Sequence, residues 1–71
     1  MQRYEAVALM KELGAEQLIR PSLVLIEQRK PDRYQLCVKG DYDRPRLELF
    51  LQKYSLEFEE DKKGFLCIFK P

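Results

Sequence analysis

The sequence predicts an α+β fold: a two-layer sandwich with element order α-β-β-α-β-β, in which two helices cover one face of a four-stranded, mainly antiparallel sheet. Two segments carry apolar residues at helical spacing, and each precedes a pair of short apolar segments separated by turn-forming residues. With 71 residues the chain is expected to form a single small domain, residues 1–71. The similarity of its halves suggests an internal duplication, with helix–hairpin units at about 3–40 and 44–71.

The first helix is predicted over residues 2–13. Four apolar side chains share one face at the spacing i, i+3, i+4 and i+7: Ala6, Leu9, Met10 and Leu13. Gly14 is placed to end this helix in a left-handed conformation, which glycine adopts without steric cost. The alternative is a helix that continues to about Ile19, because residues 15–18 also favour helix.

The first hairpin is predicted over residues 22–39. The segment SLVLIEQ is rich in leucine and β-branched residues, RKPDR has the composition of a turn, and YQLCVK alternates. This alternation places Tyr34, Leu36 and Val38 on one side of the second strand, with Cys37 on the other.

Asp43 is predicted to cap the second helix, and Pro45 is tolerated in its first turn. Four apolar side chains repeat the helical spacing there: Leu47, Phe50, Leu51 and Tyr54. The last hairpin follows, with Leu56 and Phe58 on one face of its first strand. In its DKKG turn, Gly64 supplies the positive φ that the turn requires.

The sequence leaves the order of the strands open. An all-antiparallel sheet requires the second strand beside the fourth, or the first beside the third. Otherwise the second and third strands are parallel neighbours joined by a right-handed crossover. In each arrangement the two helices are expected on the same face of the sheet.

The two cysteines, Cys37 and Cys67, lie in the middle of predicted strands between large apolar neighbours. They form no Cys-x-x-Cys pair, and the chain has no histidine to complete a metal site or to act as a catalytic base. This setting favours two buried, structural thiols. A disulfide between the second and fourth strands is the alternative, and a redox or metal-binding role is the third reading. No metal, cofactor or enzymatic activity is expected.

The charge composition bears on possible partners. Thirteen Lys and Arg residues against twelve Asp and Glu residues give a formal net charge of +1. Nucleic-acid-binding proteins usually carry a basic excess, so the overall charge does not favour that function. The apolar runs are far shorter than the ~20 residues of a membrane span, and the first residues lack the apolar core of a signal peptide. We therefore expect a cytoplasmic protein that does not associate with membranes.

The first and fourth strands are apolar on both sides, which indicates more apolar surface than two helices cover. The candidate interaction face consists of Val24, Ile26, Leu66 and Ile68. The expected function is that of a non-enzymatic protein-interaction or assembly module. It would self-associate as a homo-oligomer through a face or an edge of the sheet, or bind a protein partner.

The alternative function is that of a nucleic-acid-associated accessory domain. A basic hairpin loop beside an aromatic residue can bind single strands through phosphate contacts and stacking. The residues of this alternative basic site are Arg29, Lys30, Arg33, Tyr34, Arg44 and Arg46.

Overall fold

The computed structural model describes residues 1–40 and 42–70. Helix α1 (Arg3–Ala15) is followed by a 3₁₀ turn (Pro21–Leu23) and by strands β1 (Val24–Lys30) and β2 (Arg33–Val38). Helix α2 (Arg44–Lys53) and strands β3 (Glu57–Glu60) and β4 (Leu66–Phe69) complete the fold. The predicted α+β fold and its element order are confirmed.

The four strands form one antiparallel sheet in the order β1-β2-β4-β3. This is the first of the two antiparallel arrangements that the sequence allows. Strands β1 and β3 are therefore the edges of the sheet, and the two hairpin loops lie at its opposite ends.

A single apolar core fills the space between the two helices and one face of the sheet. Its most deeply buried members come from both helices and both central strands: Ala6, Leu13, Leu36, Val38, Leu47, Leu51, Leu66 and Ile68. Both helices pack on the same face because their apolar stripes have this one surface to cover.

Helix α1 ends at Ala15, and Gln17 is the residue that takes the left-handed conformation, with φ of 59°. The N–H of Leu18 donates to the carbonyl of Leu13 over 2.9 Å, which completes a Schellman motif with an apolar contact. The prediction that Gly14 supplies the left-handed residue is therefore wrong, and so is the alternative of a helix reaching Ile19.

Gly14 has a different role. A Cβ atom at this position would lie 2.9 Å from Cγ of Pro21, so any side chain would collide with the proline ring. The glycine thus allows the 3₁₀ turn that precedes β1 to pack directly against the last turn of α1.

Helix α2 has the predicted cap, in which the carboxylate of Asp43 accepts a hydrogen bond of 3.3 Å from the N–H of Arg46. It ends in the same way as α1. Ser55 is left-handed, with φ of 56°, and the N–H of Leu56 donates to the carbonyl of Leu51 over 2.8 Å. Both helix–hairpin units therefore use one geometry to turn from helix to strand.

Candidate functional site

The predicted interaction face lies in the core. Leu66 and Ile68 have exposed fractions of 0 %, and Val24 and Ile26 pack half-buried against the same cluster under the helices. The prediction assigned the wrong side of the sheet. Because the strands are apolar on both sides, their alternation does not show which side the helices cover.

Neither α1 nor α2 covers the opposite side of the sheet, here called the outer face. It presents residues from all four strands and from the ends of the hairpins: Leu25, Glu27, Arg29, Gln35, Cys37, Lys39, Glu57, Glu59, Phe65, Cys67 and Phe69. The surplus apolar surface that the sequence indicates thus consists of Leu25, Phe65 and Phe69, since the two cysteines are buried.

Cys37 and Cys67 are directly opposite each other on β2 and β4, with Cα atoms 4.0 Å apart, and they form a disulfide. Their exposed fractions are 0 % and 3 %. The predicted burial is confirmed, but the prediction of two free thiols is wrong, and the observed state is the cross-strand disulfide named as the alternative. A Cα separation this short is typical of a non-hydrogen-bonded antiparallel pair.

Charged side chains lie over the aromatic rings of the outer face. The guanidinium carbon of Arg29 is 4.0 Å from the centroid of the Phe69 ring. Nη1 of Arg29 donates to Oε1 of Gln35 and to Oε1 of Glu59, both over 3.1 Å. This one side chain therefore reaches from β1 across the sheet to β3 and covers one end of the outer face.

The edge formed by β1 is open. The N–H of Lys39 donates to the carbonyl of Leu23, so these two residues form a hydrogen-bonded pair at the start of the β1–β2 ladder. In an antiparallel pair, alternate residues exchange both hydrogen bonds. The main-chain groups of Leu25 therefore point to β2, whereas those of Ile26 and Gln28 and the carbonyl of Val24 point away from the sheet. The N–H of Val24 donates to the carbonyl of Pro21 in the preceding 3₁₀ turn.

The edge formed by β3 is different in length and charge. This strand has the sequence EFEE, and it is only four residues long. Its glutamates place negative charge along the edge, and Glu60 is bound by Arg44 from α2. Short, charged edge strands resist pairing with another strand.

A cavity of about 440 Å³ opens at the end of the sheet beside the β1–β2 loop. Four residues of the predicted basic site line it: Arg29, Lys30, Arg33 and Tyr34. The structure adds Phe69 and Lys70, which lie 35 or more positions along the chain from Tyr34 and therefore share no local sequence pattern with it.

Arg44 and Arg46 are not part of this cavity. Arg44 pairs with Glu60, and Nε of Arg44 lies 3.7 Å from a carboxylate oxygen of Glu48. Through successive strand pairings, Glu60 lies level with Val24 at the start of β1. The cavity begins beyond Gln28, roughly 13 Å farther along β1 at about 3.3 Å per residue. The predicted basic site is therefore divided between the two ends of the sheet.

Among the residues that the structure describes, no helix combines the length and the apolarity of a membrane span. Comparison with protein-family models, with curated proteins and with solved structures finds no match for this chain.

Proposed function

We propose that the protein is a non-enzymatic assembly module in which two copies associate by pairing their β1 edges. The observation that carries the proposal is the open edge itself. The main-chain donors and acceptors of Ile26 and Gln28, together with the carbonyl of Val24, point outward from the longest strand of the sheet. Such an edge is a template for an added strand.

The structure at the two ends of residues 24–28 limits the register in which two β1 edges can pair. The 3₁₀ turn at Pro21–Leu23 precedes this segment, and a β-bulge between Gln28 and Lys30 follows it. An antiparallel pairing centred on Ile26 uses the whole segment between these limits. It places Val24 of each copy opposite Gln28 of the other. It forms about four main-chain hydrogen bonds, because the N–H of Val24 already donates to the carbonyl of Pro21.

The charges along β1 favour the same register. Centring the pairing on Glu27 would place this carboxylate opposite its own copy, which is destabilising. Centring it on Ile26 places Glu27 opposite Leu25, which is 50 % exposed and would be covered by the second copy. The formal net charge of +1 offers little long-range repulsion between copies.

A proline substitution tests the edge directly. Gln28→Pro removes one outward N–H without removing a hydrogen bond to β2. Glu60→Pro is the matched control, because the N–H of Glu60 also points outward, from the acidic edge. Sedimentation at about 1–100 µM should show a dimer for the unmodified protein and for Glu60→Pro, and a monomer for Gln28→Pro.

Two results would refute the proposal. One is a monomer at every concentration for the unmodified protein. The other is an unchanged dimer for Gln28→Pro, provided that circular dichroism shows both variants to be folded.

Amide hydrogen exchange provides a second measurement that needs no substitution. The amides of Ile26 and Gln28 should exchange more slowly as the protein concentration rises, because pairing gives each an acceptor. The outward amides of Phe58 and Glu60 should not respond. Equal behaviour of the two edges would show that the copies do not meet at β1.

A cytoplasmic location remains a prediction. The disulfide bears on it, because glutathione and thioredoxin keep most cytoplasmic thiols reduced. In such a compartment Cys37 and Cys67 would be present as two buried thiols. The main-chain groups of the β1 edge would keep their positions as long as the reduced protein stays folded, because both cysteines lie on the central strands.

A further inference from the structure

The cavity beside the β1–β2 loop has a lining that suits a phosphate-bearing ligand. We infer that it binds a phosphate of single-stranded nucleic acid, with the neighbouring base placed against its aromatic residues. All of the lining residues belong to one chain. The inference therefore does not depend on the proposed dimer.

The charge of the lining favours an anion. Four of its side chains are cationic, those of Arg29, Lys30, Arg33 and Lys70, and none of the described residues that line it is acidic. Its volume of about 440 Å³ falls within the range of small-ligand sites. Arg29 is paired with Glu59 and Lys70 with Glu5, so the uncompensated positive charge of the cavity is that of Lys30 and Arg33.

Lys30 and Arg33 face each other directly across the hairpin. Like charges in directly opposite positions destabilise an antiparallel pair. Within residues 1–40 and 42–70, neither side chain has a carboxylate within ion-pairing distance. A phosphate bound between them would relieve this repulsion with charge-assisted hydrogen bonds.

Arg29 is held in place for such a contact. Its hydrogen bonds to Gln35 and Glu59 use only Nη1, and its guanidinium carbon lies over the ring of Phe69. The donors on Nε and Nη2 have no hydrogen-bond partner among the described residues. Because the guanidinium is already oriented, less side-chain entropy is lost when a ligand binds.

The aromatic residues favour a single strand over a duplex. One face of Phe69 is covered by Arg29, whereas Tyr34 is half-buried and contributes to the cavity wall. An unpaired base can stack on such a ring, but a base inside a duplex cannot. Tyr34 is therefore the residue that we expect to contact the base.

Fluorescence anisotropy with a labelled oligothymidylate of about 12 nucleotides tests the inference. Lys30→Gln/Arg33→Gln removes the two cations without an ion-pair partner. Lys62→Gln/Lys63→Gln is the matched control, because it makes the same change of charge in the turn at the opposite end of the sheet.

The unmodified protein should bind the oligonucleotide at about 20 mM salt and lose affinity as salt rises. The first double variant should bind at least about tenfold more weakly. If each cation contacts one phosphate, the slope of log K against log salt should become smaller by about 1.4. The control variant should retain both the affinity and the slope.

Three results would overturn the inference. The first is no binding of the oligonucleotide at about 20 mM salt, where a phosphate site is strongest. The second is equal weakening in both double variants, which would indicate a general effect of net charge. The third is binding of inorganic tripolyphosphate but not of the oligonucleotide, which would assign the cavity to a small anion.

Discussion

Reduction of the Cys37–Cys67 disulfide is expected to remove a large part of the protein's stability. The two residues are 30 positions apart. A cross-link of this loop length lowers the entropy of the unfolded chain by an amount equivalent to about 3.6 kcal/mol at 25 °C. A domain of 71 residues has a free energy of unfolding of roughly 4–11 kcal/mol. The disulfide therefore contributes between about a third and nearly all of it.

Urea unfolding with and without a dithiol reductant measures this contribution. With a slope of about 1 kcal/mol per molar urea, the midpoint should fall by roughly 3–4 M on reduction. The slope should also increase, because the reduced chain exposes more surface when it unfolds. The variant Cys37→Ala/Cys67→Ala should unfold at or below the midpoint of the reduced protein, and it should not respond to the reductant.

The reasoning would be refuted by a midpoint that moves by less than about 1 M while a thiol assay shows that both cysteines have been reduced. It would also be refuted if the untreated, folded protein reacted rapidly with a thiol reagent, because a disulfide between two buried sulfur atoms leaves no thiol to react.

Three further predictions concern the two ends of α1. Gly14→Ala should lower the free energy of unfolding by about 1 kcal/mol, because the new methyl group meets Pro21. By contrast, Gln17→Gly should raise it by about 0.5–1 kcal/mol, because it relieves the left-handed conformation; urea unfolding measures both, and a gain for Gly14→Ala would contradict the close approach. Lys70 donates a hydrogen bond to Glu5 and so holds the pKa of Glu5 below its usual value. The contribution of this contact to the free energy of unfolding should be fully present when the pH is above the ordinary glutamate pKa of about 4.3. It should be lost as the pH falls through the lowered pKa of Glu5. An NMR titration should find the lowered pKa, and Lys70→Met should return it towards normal; an unchanged pKa in the variant would exclude Lys70 as its cause.

Local patterns predicted most of the fold. The helical spacing in both helices, the cap at Asp43, the alternation in β3 and the turn at Gly64 all depend on residues close together in the chain. The structure confirms each of them. Such signals can be read from one sequence because the chemistry that causes them acts within a few residues.

The errors arose where distant residues decide the outcome. The close approach of Pro21 determines the role of Gly14, and nothing in the spacing of the two residues predicts it. The helices cover the side of the sheet that carries Leu66 and not the side that carries Phe65, although both sides are apolar. The basic cavity likewise depends on the β2–β4 pairing, which brings Lys70 beside the first hairpin.

The cross-strand disulfide also restricts how copies of this chain can exchange segments. It joins a residue of the first helix–hairpin unit to one of the second, so in the oxidised protein the second unit cannot leave its own chain and complete a neighbouring molecule. Domain swapping is thereby blocked unless the bond is first reduced. For the same reason, a protease that cuts the chain once between β2 and β4 leaves two fragments that remain covalently joined.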